Sequence, residues 1–145
     1  MVKQQLKSLL IKTIALRKAQ AEAYEYHDFN TVRLNAAWLL SALSELEAGQ
    51  LDQMELGLEH SLEAQKLISA DEETLVENEH IYQIAQIYLT LANIQESNDL
   101  RSKAKHSFRQ AIKFLTKIAN DSDLESSVVE QLNTEIEAVS LRLQD

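Results

Sequence analysis

The sequence has no cysteine, no proline and only two glycines, Gly49 and Gly57, among 145 residues. Without cysteine there is no disulfide staple, no thiolate nucleophile and no thiolate metal site. The turn residues that sheets and long loops require are nearly absent. A glycine-framed phosphate loop or nucleophile elbow has nothing to be built from. Aromatic residues make up only 6% of the chain, and no apolar run reaches the length of a membrane span. In the opening stretch MVKQQLKSLLIKTIALRKAQ, Lys3, Lys7, Lys12, Arg17 and Lys18 break the run short of a signal-peptide core. The expectation is a cytoplasmic protein with no membrane segment, no metal and no cofactor.

Strong helix formers dominate every stretch, with 45% apolar and 26% charged residues overall, which predicts an all-α fold in one domain over residues 1–145. The periodicity divides the chain into about six helices joined by short loops, so successive helices should be antiparallel neighbours. The first runs from about 3 to 26 and stops at HDFN, where Asn30 is a candidate N-cap for the second. The second should end at Gly49, a natural C-cap. The third covers about 51–69. Ser69 and Glu72 have capping-box spacing for a long fourth helix that ends near Ser97, as do Ser122 and Glu125 for a C-terminal capping helix over 123–143. The second and fourth helices are apolar nearly all round and should lie between neighbours or line a groove.

Charge is segregated. The formal net charge is −9, yet between residues 21 and 80 the only cations are Arg33 and Lys66. The first and fifth helices are basic and the last is acidic. In the fifth helix Arg101, Lys105, Arg109, Lys113 and Lys117 stand four residues apart. Steps of four advance about 400°, so this row winds slowly around the helix. It reads as a solvated face or as a docking surface for an acidic protein. A nucleic-acid site is not expected, because the acidic balance of the chain repels phosphates.

The stretch AQIYLTLANIQESNDLRSKAKHSFRQAIKF carries a specific pattern of large and small residues at Tyr88, Leu91, Ala92, Ala104, Phe108 and Ala111. It resembles a tetratricopeptide repeat, in which small residues let two helices approach and an aromatic fills the space beyond them. A weaker copy runs through Trp38, Ala42, Gly49, Leu51, Met54, Leu58 and Ser61. Departures from the family's pattern are Ser41, Glu45 and Gln95, the missing closing proline, and anchors Trp38 and Tyr88 set further apart than the family's period of about 34 residues. The resemblance implies two helical hairpins, at about 35–68 and 85–118, with an extra N-terminal helix and a C-terminal cap.

It also implies a ligand face on the first helix of each hairpin, formed by Leu39, Leu43 and Leu46 and by Gln86, Leu89, Asn93 and Glu96. A partner's peptide or helix would dock there on apolar pockets and amide hydrogen bonds, unless the long first helix lies across the same face. The function so implied is a non-catalytic interaction module, an adaptor or chaperone, with homo-oligomerisation left open.

Two patterns are relevant to catalysis. Glu77 and His80 make one Glu-x-x-His pair, of which di-iron bundles use two. Arg101 and His106 have a spacing similar to that of small helical RNA-cleaving domains, the alternative function. Both read more simply as polar residues on helix surfaces. His27 and His60 have no partner pattern, so no catalytic residue is assigned.

Overall fold

The computed structural model describes residues 1–23 and 29–144, the side chains of 23, 29 and 30 excepted. The described residues form six α-helices and no strand. These are α1 (Val2–Ala23), α2 (Phe29–Gln50), α3 (Met54–Ser69), α4 (Asn78–Ser97), α5 (Arg101–Ala119) and α6 (Ser126–Leu141). The all-α expectation with about six helices holds, since a chain so poor in turn residues satisfies its backbone groups within helices. No described helix is long and apolar enough to cross a membrane. The expected stop at HDFN, the capping role of Asn30 and His27 lie outside the described residues and side chains.

The chain separates into two compact units, Met1–Thr74 and Leu75–Asp145. In the first, α2 packs on both α1 and α3. His60 meets Glu47, and Arg33 pairs with Asp71, so α3 runs antiparallel to α2. Lys7 reaches Glu47 and Gln53 while Lys18 reaches Glu63, which sets α1 antiparallel to α2 and parallel to α3. In the second unit, Ser107 Oγ donates to Gln95 Oε1 at 2.6 Å and Phe114 stacks on Tyr88, making α4 and α5 antiparallel. Tyr82 bonds Glu135 and Arg142 pairs with Glu96, so α6 runs in the direction of α4. Each unit is thus a hairpin with one further helix laid on it.

Several boundaries differ from those expected. Gly49 lies inside α2 with no positive φ; the left-handed residue of the α2–α3 turn is Asp52, at φ 55°. Ser69 ends α3 and its hydroxyl donates back to the Lys66 carbonyl, while α4 begins only after an extended Glu77. A hydroxyl that can bond its own preceding turn is satisfied locally and has no need to start a new helix. Ser122 caps nothing either, because α6 starts behind an extended Glu125 with no side-chain cap. The α4–α5 turn is a Schellman motif: Leu100 N–H donates to Gln95 O and Asp99 N–H to Glu96 O, with Asp99 at φ 60°.

The two hairpins are built from different residues. The buried face of α3 is the small stripe Gly57, Ser61 and Ala64, followed by Ile68. A Cβ on Gly57 would stand 2.9 Å from the Ser44 carbonyl oxygen and 3.0 Å from Ala48 Cβ, so glycine is what permits this crossing. On the α4–α5 hairpin, Tyr88, Leu91, Ala92, Ala104, Phe108 and Ala111 are all buried. Ala92, Ala104 and Phe108 join Val139 of α6 in one cluster, with Leu89, Ile112 and Leu143 packed on it.

Candidate functional site

The leading-helix face divides between the two units. On α4, Gln86 Nε2 donates to Glu135 Oε1 of α6 at 3.1 Å, and Tyr82 OH donates to the same carboxylate at 3.0 Å. Glu96 pairs with Arg142, whose guanidinium also lies 5.1 Å from the Phe108 ring centre. Leu89 is half-buried against the cluster that contains Val139. Three of the four expected residues, Gln86, Leu89 and Glu96, therefore serve the contact between α6 and its hairpin, and Asn93 stands exposed beside them. Burial and the neighbouring Glu135 carboxylate push the Tyr82 phenol above its ordinary 10.0.

On α2, Leu43 and Leu46 are buried and Leu39 is half-buried. Leu43 lies one turn before Glu47, the residue that Lys7 of α1 engages, so α1 borders this face. A side chain as closed as Leu43, at 1% exposure, offers nothing to a partner.

The polar chemistry of the first unit centres on Glu47, whose side chain is fully buried. His60 Nδ1 lies 2.6 Å from Glu47 Oε1, within hydrogen-bond distance. Lys7 Nζ stands 3.1 Å from Oε2 but off the line of a hydrogen bond, so the contact is ionic, and the ammonium donates instead to Gln53 Oε1 at 2.7 Å. One buried carboxylate thus holds three helices: α2 through its own backbone, α3 through His60 and α1 through Lys7. Ser61 follows His60 in the chain, pointing about 100° away around α3. Its buried hydroxyl has no hydrogen-bond partner among the described residues. The Glu47–His60 contact joins the end of α2 to the middle of α3. The sequence offered no sign of it, since His60 and Glu47 are 13 positions apart across a turn and share no motif.

Along α5, Arg101, Arg109, Lys113 and Lys117 are exposed and Lys105 is half-buried. Lys113 Nζ sits 5.2 Å from the centre of the Phe114 ring. Arg101 and His106 are both exposed and, five positions apart, diverge by about 140° around the helix. His80 Nδ1 is 3.7 Å from Glu77 Oε2, a pair within one turn, and no group of three metal-ligating side chains occurs among the described residues. Asp121 accepts from the Asp123 backbone N–H and from Asn78, which holds its carboxyl below the usual range and ties the start of α4 to the link before α6. What the fold and these contacts define is a protein of helical hairpins, each carrying a docked third helix. No protein family, curated protein or solved structure matches the chain.

Proposed function

We propose that the chain is a non-catalytic protein–protein interaction module with tetratricopeptide-like hairpins. It acts in the cytoplasm as an adaptor or chaperone and binds a helical segment of another protein. The supporting observation is α6 itself. An amphipathic helix packs against α5 of the α4–α5 hairpin through an apolar centre, Val139 with Phe108 and Ala92, and its side chains reach α4 in polar clasps at Gln86–Glu135 and Glu96–Arg142. A surface that accepts one such helix has the chemistry to accept another beside it, at the exposed Asn93. The separation of Arg101 from His106, about 140° around α5, supports the non-catalytic reading over RNA cleavage.

The test places a photo-crosslinking amino acid at Asn93 or at Lys117 in the full chain, expressed in its own cell. The expected result is one dominant protein adduct from position 93 and little from position 117. Adducts from position 117 alone would move the site to the basic helix. RNA cleavage by the purified chain, lost in Arg101→Ala with His106→Ala, would overturn the non-catalytic reading.

A further inference from the structure

We propose that the outward face of α1 is a docking seam for an acidic amphipathic helix of another protein. The helix has two apolar stripes. The inward one, with Leu10 and Ile14, is covered. The outward one consists of Val2, Leu6, Leu9, Thr13 and Leu16, spaced by four, three, four and three residues. Its aliphatic members are 76%, 47%, 61% and 56% exposed, a run of open aliphatic side chains on one side of one helix. Thr13 does not interrupt the seam with an unmet polar group, because its hydroxyl donates to the Leu9 carbonyl. This alternation of fours and threes is the a/d spacing by which one helix receives another, knobs into holes.

Charge selects the occupant. Of the cations of α1, Lys7 and Lys18 turn inward, to Glu47 and Glu63 of the acidic hairpin beneath. Lys3 and Lys12 are exposed and make no ion pair among the described residues. With Arg17 they hold three of the five e and g positions that border the a/d seam, the others being Gln5 and Leu10, and charge at such positions decides partner choice. Two copies of α1 would bring Lys3, Lys12 and Arg17 against one another in either orientation, so the seam disfavours pairing with itself. A membrane surface suits it less well too. The stripe has the narrow width of a coiled-coil seam, contains no aromatic residue, and belongs to a chain of net charge −9. A helix with leucine or isoleucine at a and d and glutamate at e and g meets both the shape and the sign. Four turns of one helix fall short of the area of a stable standard interface, about 800 Å² a side, so the contact is weak and salt-dependent.

This surface is distinct from the α4 face, and the proposal does not rest on it. The experiment titrates the full chain into a fluorescein-labelled three-heptad peptide with Leu at a and d and Glu at e and g, read by anisotropy. Binding is expected in the range of roughly 1–100 μM. It should weaken at least tenfold in Leu9→Asp, severalfold in Lys12→Glu with a flatter salt dependence, and not at all in Asn93→Arg. Circular dichroism verifies the fold of each variant, and the exposed Lys12 supplies a second readout should Leu9→Asp unfold α1. The proposal is overturned if the peptide does not bind or if Leu9→Asp and Lys12→Glu leave its affinity unchanged. It is equally overturned if phosphatidylserine vesicles are bound in place of the peptide, or if the chain forms a dimer that Leu9→Asp dissolves.

Discussion

The two units solve the same problem with opposite materials. Both are a helical hairpin plus one helix, and in both the added helix is tied by polar side chains to what lies beneath it: α1 by Lys7 and Lys18 to Glu47 and Glu63, α6 by Glu135 to Tyr82 and Gln86 and by Arg142 to Glu96. The hairpin of Leu75–Asp145 closes with aromatic bulk, Tyr88 on Phe114 at 6.0 Å and Phe108 behind Ala92 and Ala104. The hairpin of Met1–Thr74 closes with small residues and a buried carboxylate. Aromatic packing gains by area and tolerates imprecise partners. A close crossing over Gly57 with a buried Glu47 depends on each partner being present, because a lone buried charge is costly.

The sharpest test of that contrast removes bulk from the second unit. Phe108→Ala should lower stability by about 3–5 kcal/mol in urea unfolding. A loss under 1 kcal/mol would show that the cluster with Val139 is not what holds α6. In the first unit, Lys7→Met leaves the Glu47 carboxylate buried with His60 alone and should cost roughly 3 kcal/mol, whereas adding Glu47→Met should restore most of it. If the double variant is as weak as the single, the clasp is not paying for a buried charge and the contrast fails. Gly57→Ala comes next, at about 1–2 kcal/mol. The overlap with the Ser44 carbonyl and Ala48 outweighs the better helix propensity of alanine, a balance measured from the same urea curves. The smallest effect has the opposite sign and is common to both units. Asp52→Gly and Asp99→Gly, at φ 55° and 60°, should each stabilise by about 0.5–1 kcal/mol, read as a rise in Tm.

The hairpin of the second unit was legible because its signal is local. Tyr88, Ala92, Ala104 and Phe108 sit at fixed offsets on two helices joined by three residues, Asn98–Leu100, and all four are buried. The weaker pattern in the first unit transferred less well. Trp38, Leu51, Met54 and Leu58 are half-buried and Ala42 is exposed, while the crossing is made by Gly57, Ser61 and Ala64. There Ser61 is the member of the pattern that is buried in the crossing and the large residues are only half-buried, because the helices approach on their smallest side chains. The outward stripe of α1 was present in the letters but merged with the inward one, and only burial separates two apolar faces on a single helix.

Composition was sufficient for an all-helical chain in short-linked segments with charge sorted by helix, since each of these follows from propensities and spacings within about a turn of the residue concerned. It could not pair His60 with Glu47, set Glu135 between Tyr82 and Gln86, or turn Lys7 inward and leave Lys12 outside. Those contacts join residues 13 to 53 positions apart, and their partners are chosen by how helices cross, a property of packed surfaces and not of any one segment.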